Sequence, residues 1–160
     1  MDVTTLLAGM DFSRTRLLGI LETIEKSGQD ANKVLAWRPA PGRAHIAWQA
    51  MHCAATHDRY LNVGLLGKKP SDEALVAGYA GGSTPSDENI PDMAAIRSAL
   101  EAQYRPFRDH VAGLTQADFD RMMPSGRTVG QSILLLTWHE AHHQGQIHLT
   151  WNMYKAAHGI

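Results

Sequence analysis

The chain has 160 residues, 44% of them hydrophobic and 19% charged, with a formal net charge of −1 at pH 7. These values predict one folded domain over residues 1–160 and exclude a disordered or fibrous chain. The small net charge, without a basic stripe, argues against binding to nucleic acid or to an anionic membrane surface. No run approaches the ~20 apolar residues of a membrane span. A single cysteine, Cys53, and a start without a secretory leader favour a cytoplasmic protein.

Apolar residues recur at helical spacing along most of the chain, and no segment alternates as a strand would. In the first predicted helix, Leu6 and Met10 are followed after a two-turn gap by Leu17. Pro91 is expected as the first residue of the third helix, and Thr128 as the N-cap of the fourth. The predicted helices cover residues 5–26, 45–66, 92–113 and 128–157.

Four long amphipathic helices without strands predict an all-α fold, a four-helix bundle with a long middle loop. That loop, residues 67–91, is polar and contains the run Gly-Gly-Ser-Thr-Pro-Ser-Asp. A connection of this length either covers a functional site or is a mobile surface loop, and both interpretations stay open.

Nine histidines are present, and five of them fall in the last 22 residues. His139 and His143 are four residues apart, so both imidazoles can face one metal ion from the same side of a helix. His142 is turned to the other side of His139 and is a candidate neighbour of the site, whereas His148 points away. The alternative is a helix whose histidines lie at a wet interface, but the very apolar turns before His139 favour a metal.

A third ligand should come from the second predicted helix, because two histidines alone do not close a stable site. His52 lies in the centre of that helix and is the first candidate, with His57 as the alternative. His45, at the start of the helix, is expected to cap it or to contact solvent. Cys53 points away from His52 and is expected to be a small buried residue.

The run from His139 through Glu140 to His143 also matches the H-E-x-x-H signature of zinc metalloproteases, in which the glutamate is a general base. The downstream residues do not complete that signature, since Gly145 comes one residue early and no glutamate follows Glu140. A metalloprotease is therefore a weaker alternative. We expect Glu140 to be a charge on the helix surface, with a position behind the ligands as the other possibility.

The sequence resembles the DinB-like family of four-helix metal proteins over nearly its whole length. The resemblance rests on H-x-x-x-H-x-G-Q-I from His139 to Ile147, on the doubled His142-His143, and on a lone histidine, His52, followed by an aromatic residue, Tyr60. It implies that His52, His139 and His143 bind one divalent ion, zinc or nickel. Many relatives have Arg where Gln144 stands here.

The resemblance also implies a function, since the family includes thiol-dependent enzymes, among them transferases that use mycothiol or bacillithiol. We therefore predict a metal-dependent thiol S-transferase or a related hydrolase that acts on a small molecule. A non-catalytic metal-binding bundle of a stress response is the alternative. No catalytic residue is identified beyond the ligands, and apolar stripes on several faces predict a homodimer. The candidates for the substrate pocket are Trp48, Gln49, Met51, Arg59 and Leu136.

Overall fold

The computed structural model describes residues 2–160, which form seven α-helices and one π-helical segment. The α-helices are α1 (Val3–Glu25), α2 (Ala31–Ala36), α3 (Ile46–Asp58), α4 (Glu73–Tyr79), α5 (Met93–Ala112), α6 (Gln116–Asp120) and α7 (Val129–His158). The π-helical segment Arg59–Leu65 continues α3. Within residues 2–160 the sole β contact is an isolated bridge between Met122 and Thr128. The predicted all-α fold is therefore confirmed.

The four long helices α1, α3, α5 and α7 form the bundle. Both α1 and α3 pack against α5 and against α7, which places α1 and α3 at opposite corners. None of the helices in the described part of the chain combines the length and the apolar character that a bilayer crossing requires.

The helix ends follow from capping side chains. Thr128 and Gln131 form a capping box at the start of α7, and Gly159, with φ of 69°, ends that helix in the left-handed conformation. At α5 the Asp92 carboxylate accepts from Ala95 N at 2.8 Å. This bond requires extended backbone at Asp92, so α5 begins at Met93 and the prediction that Pro91 is the first helical residue is wrong.

The second predicted helix, residues 45–66, is not one continuous α-helix, because its last third is π-helical. The change occurs after Asp58, whose carboxylate is fully buried and accepts from the backbone N–H groups of Ser71 and Asp72, both at 2.9 Å. It also accepts from Asn62 Nδ2 at 2.6 Å. The long middle loop is thus tied to α3, and part of it forms α4, which packs on α3.

The bundle has two hydrophobic cores rather than one. The first is centred on Leu17, Ile46 and Ile147, and the second on Met10, Phe107 and Ile133. Between them, α1, α3 and α7 contribute buried polar residues, which we call the polar layer. The polar layer consists of Ser13, Arg14, His52, His57, Glu140 and His143.

Candidate metal centre

Three imidazoles converge where α3 faces α7. His52, His139 and His143 each offer a nitrogen atom that lies within 4.8 Å of the other two. His139 and His143 stand one turn apart on α7, with ring centroids separated by 4.5 Å. His52 faces them from α3, and its Nε2 lies 3.0 Å from His139 Nε2.

Two neighbours fix the orientation of His52. Its Nδ1 lies 2.6 Å from the carbonyl oxygen of Tyr79, at the end of α4. A carbonyl only accepts hydrogen bonds, so Nδ1 carries the hydrogen and Nε2 directs its lone pair toward His139. The Trp48 indole stacks on the His52 ring at 4.8 Å between centroids and 8° between planes. This is the arrangement of a metal-binding histidine, whose second nitrogen is held by a backbone carbonyl.

The donor set fits one divalent transition ion. The Nδ1 atom of His143 is buried and has no hydrogen-bond partner within residues 2–160. A buried ring nitrogen without a partner is costly, and the close approach of two Nε2 atoms requires a proton or a cation between them. Three neutral imidazoles suit zinc, nickel or copper rather than magnesium or calcium, which prefer oxygen.

The site keeps its imidazoles in the form that binds metals. Burial, reinforced by the other histidines of the cluster, lowers the pKa of His139 to about 4 and that of His143 to about 3. Burial also lowers the pKa of His52. All three rings are therefore neutral at pH 7, and a metal ion would not have to compete with protons there.

Glu140 lies on the side of α7 that faces α1, inside the polar layer. Its side chain is only 3% exposed, and its Oε1 lies 2.9 Å from Arg14 Nε on α1. Arg14 Nη2 also donates to Oε2 at 3.4 Å. Burial raises the pKa of Glu140 to about 7, and the Arg14 charge opposes that rise. The expectation of a surface charge is wrong, because α1 covers this face of α7 with an arginine.

His57, the alternative third ligand, belongs to the same cluster as Arg14 and Glu140. Arg14 Nη2 lies 3.3 Å from His57 Nδ1, so that nitrogen accepts, and Nε2 faces Glu140 Oε2 at 3.6 Å. Burial first, and then the Arg14 charge, hold the pKa of His57 well below its usual value. Both nitrogens of His57 are thus engaged away from the three convergent imidazoles.

A family model described as the DinB superfamily matches residues 9–147. The chain belongs to the DinB superfamily. The resemblance carried by the histidine motifs is therefore confirmed, together with the helical, metal-binding character of the family. No curated protein matches the chain significantly.

The remaining histidines of this DinB-superfamily chain lie outside the cluster. His45 caps α3, as its Nδ1 accepts from Trp48 N at 3.0 Å, but it is buried rather than in contact with solvent. His142 is exposed and stacks on Trp138, with 5.1 Å between ring centroids. His148 is exposed as well.

Two cavities adjoin the three histidines. The larger, about 480 Å³, is bounded by His143 and includes Trp48 and Gln49 in its wall. The smaller, about 220 Å³, is bounded by His52 and His139. Arg59 and Leu136 line this smaller cavity. Met51, the fifth pocket candidate, packs in the first hydrophobic core and lines neither cavity.

Sequence patterns did not identify two residues that shape this DinB-type site. Arg14 occupies the two-turn gap between Met10 and Leu17, four residues after one and three before the other. Residues at that spacing lie on the buried face of the helix, so the spacing alone could have predicted that Arg14 is buried. Tyr79 acts through its backbone carbonyl, which leaves no trace in side-chain patterns.

Proposed function

We propose that this protein is a metal-dependent enzyme that transfers a low-molecular-weight thiol to an electrophilic small molecule, or a closely related hydrolase. The observation that carries the proposal is the openness of the three-histidine site. Within the described residues the metal-ligating group has three members, and a cavity adjoins it on each side. Structural zinc sites are closed by a fourth protein ligand, whereas catalytic sites keep one position open.

His52, His139 and His143 would hold the ion, which we expect to be zinc or nickel. A bound divalent ion would supply one chemical function there, a charge that lowers the pKa of a thiol in the open position. The protein would keep the ligands neutral and oriented, through burial, through the Trp48 ring and through the Tyr79 carbonyl. The apolar wall at Leu136 would exclude water and leave a thiolate poorly solvated and reactive.

In the proposed transfer, a carbon–sulfur bond forms and the bond between that carbon and its leaving group breaks. The thiol proton leaves with the departing group or to solvent. No carboxylate lines either cavity, so the charge of the ion would take the place of a carboxylate base in activating the thiol. The alternative hydrolase would use the same open position for water.

The geometry gives less support to the other candidates. In a metalloprotease of the H-E-x-x-H type, Glu140 would have to face the metal-activated water. Here Glu140 is paired with Arg14 behind the site, and residues 2–160 contain no strand to align a peptide. A non-catalytic metal-binding bundle would not require the two cavities that adjoin the ligands.

The proposal is tested with purified protein loaded with zinc or nickel. It would be mixed with bacillithiol, mycothiol, glutathione or cysteine and a chromogenic aryl halide, with an ester and a peptide as hydrolytic controls. Thiol conjugation that disappears in His52→Ala, but not in the exposed variant His148→Ala, is the expected result. Ester turnover without thiol would favour the hydrolase, and inactivity with every substrate would favour the non-catalytic bundle.

A further inference from the structure

The two cavities extend from the metal centre in opposite directions along the groove between α3 and α7. The larger cavity joins the start of α3, at Trp48, to the second half of α7, at Thr150. The smaller joins Tyr60, just after α3, to the first half of α7, at Leu135. The two helices are therefore antiparallel, and the three histidines separate one cavity from the other.

The larger cavity has polar groups that lack partners. Gln49 is 4% exposed, and its Nε2 donates to the Ala44 carbonyl at 3.3 Å, which fixes the orientation of the amide. Its Oε1 is buried and has no hydrogen-bond partner within residues 2–160. The same holds for the indole Nε1 of Trp48. Each unpaired atom is costly to the folded state unless a ligand or a water molecule satisfies it.

Each cavity has one arginine and no acidic residue in its wall, Arg43 in the larger and Arg59 in the smaller. The unpaired Gln49 and Trp48 atoms are therefore what distinguish the larger one. Arg43 is exposed, and its backbone carbonyl accepts from the Arg38 side chain, which holds this turn in place. A ligand that fits would therefore carry an anionic group for Arg43 and Trp48 and an N–H group for Gln49.

The smaller cavity has a different character. Its wall includes Leu135, Leu136 and Ala80 beside Arg59, and none of its polar side chains has a buried atom without a partner. It therefore leaves no buried polar atom for a ligand to satisfy, and its apolar part suits the electrophile better than the polar portion of a thiol donor.

We infer that the larger cavity binds the polar portion of the thiol donor and selects thiols that carry both a carboxylate and an N–H group, as cysteine derivatives do. Arg43 pairs with the carboxylate and Trp48 Nε1–H donates to it, while Gln49 Oε1 accepts from the N–H. The sulfur then lies at the His143 end of the cavity, and the electrophile enters from the smaller cavity. This inference rests on the proposed thiol-transferase function.

Three monothiols with matched frames test the inference on the zinc-loaded, full-length chain. N-acetylcysteine carries both groups, N-acetylcysteamine lacks the carboxylate, and 3-mercaptopropionate lacks the N–H. Their dissociation constants would be measured by isothermal titration calorimetry. We expect N-acetylcysteine to bind about tenfold more tightly than either of the others, a difference of about 1.4 kcal/mol, because each of the others lacks one of the two recognised groups.

Variants assign each preference to its residue. Arg43→Gln should reduce the preference for N-acetylcysteine over N-acetylcysteamine, because only the Trp48 donor then remains for the carboxylate, while Arg105→Gln, a matched change at an exposed residue of α5, should leave it unchanged. Gln49→Met should abolish the preference over 3-mercaptopropionate. Gln49→Glu, which keeps an acceptor, should preserve that second preference, because the two thiols compared carry the same charge.

Equal affinities for the three thiols in the unmodified protein would overturn the inference, as would a uniform loss for all three in Arg43→Gln. Circular dichroism and zinc content would be checked for every variant. If Gln49→Met does not fold, the comparison of Arg43→Gln with Arg105→Gln still tests the inference. Thiol preference without any conjugation would contradict the transferase and leave the subsite intact. Conjugation without thiol preference would contradict the subsite and support the transferase.

Discussion

His45 acts as a structural residue only while it is neutral. Its Nδ1 accepts from the backbone of Trp48 at 3.0 Å, and its Nε2 donates to the Ser86 carbonyl at 2.9 Å. A protonated ring would carry hydrogens on both nitrogens, and the cap of α3 would be lost. Burial lowers the pKa of His45 below its usual value of 6.5.

Stability should therefore depend on the pH through His45. As the pH falls below 6.5, the unfolded chain takes up this proton before the folded one, so the contribution of His45 is complete above that pH and is lost below it. Asparagine is a good N-cap that does not titrate. In urea unfolding at pH 7.5 and pH 5, His45→Asn should lose less stability than the unmodified chain. Parallel pH profiles for the two proteins would contradict the assignment.

The Arg14–Glu140 pair should be far more sensitive to substitution than an ordinary ion pair. At pH 8, above the pKa of about 7 of the Glu140 carboxyl, Glu140→Gln would leave a buried guanidinium without its counter-charge, and breaking such a pair costs about 3–5 kcal/mol. Glu25→Gln is the matched control, because its partner Arg97, at 2.9 Å, lies near the surface and such pairs contribute about 1 kcal/mol or less. We therefore expect Glu140→Gln to lower the free energy of unfolding by more than Glu25→Gln does, as measured by urea unfolding of both variants.

A double substitution separates pairing from simple burial. Arg14→Met combined with Glu140→Leu removes both charges and keeps the volume, so it should be less destabilising than Glu140→Gln alone. If instead Glu140→Gln folds with unchanged stability, the carboxylate is not the structural partner of Arg14 that the geometry indicates.

At the scale of elements, the junction of α3, its π-helical continuation and the middle loop depends on one buried carboxylate. Asp58 satisfies two backbone N–H groups of the loop, at Ser71 and Asp72, and one side chain of the π-helical segment. α4 begins directly after these bonds, and its last residue supplies the carbonyl that orients His52.

Asp58→Ala should therefore loosen the loop and the metal centre together. We expect faster amide hydrogen exchange over residues 67–80, unchanged exchange in α1, and a lower metal affinity because the Tyr79 carbonyl is no longer held against His52. Asp92→Ala, which removes the exposed cap of α5, is the control and should leave metal affinity unchanged. Unaltered exchange in the loop of Asp58→Ala would show that other contacts hold it.

The sequence predicted the long helices well because their buried positions repeat with helical spacing. It predicted the pair His139 and His143 for a related reason, since residues four apart on a helix share a face. The break after Asp58 could not be predicted, because it depends on hydrogen bonds from a loop distant in sequence. Glu140 was misplaced for the same kind of reason, as its partner Arg14 is 126 residues away.

At the scale of the whole molecule, the metal site joins α3 to α7 within the polar layer. His52 and His139 are 87 residues apart, so an ion bound to both would cross-link the bundle between its two hydrophobic cores. Binding to the folded state alone stabilises it, by about 2.7 kcal/mol when the free ligand is at 100 times its dissociation constant.

Removal of the metal should consequently lower the melting temperature. We expect a chelator to lower the Tm of the loaded protein, and His139→Ala with His143→Ala to abolish both stoichiometric metal and the effect of the chelator. Elemental analysis and thermal unfolding followed by circular dichroism would measure these changes. Full metal content in the double variant would place the site elsewhere.

Homodimerisation stays a prediction. Four large apolar residues lie exposed within one face of α7, at spacings that keep them on the same side of the helix. They are Leu134, Trp138, Leu149 and Met153. If two copies associate through this face, Trp138→Glu should convert a dimer to a monomer in sedimentation velocity, whereas Phe12→Glu on α1 should not. A monomeric unmodified chain would contradict the prediction.

Two of the three ligands belong to one turn of α7, and this division has a kinetic consequence. When α3 moves away locally, His139 and His143 would remain a bidentate chelate, so the ion would not leave at once. Exchange would then be stepwise: His52 would leave first, a competing ligand would take the vacated position, and the α7 pair would release the ion last. The rate of metal loss would rise with the concentration of the competitor. The identity of the bound ion in a cell would thus follow the surrounding pool of chelators as well as intrinsic affinity.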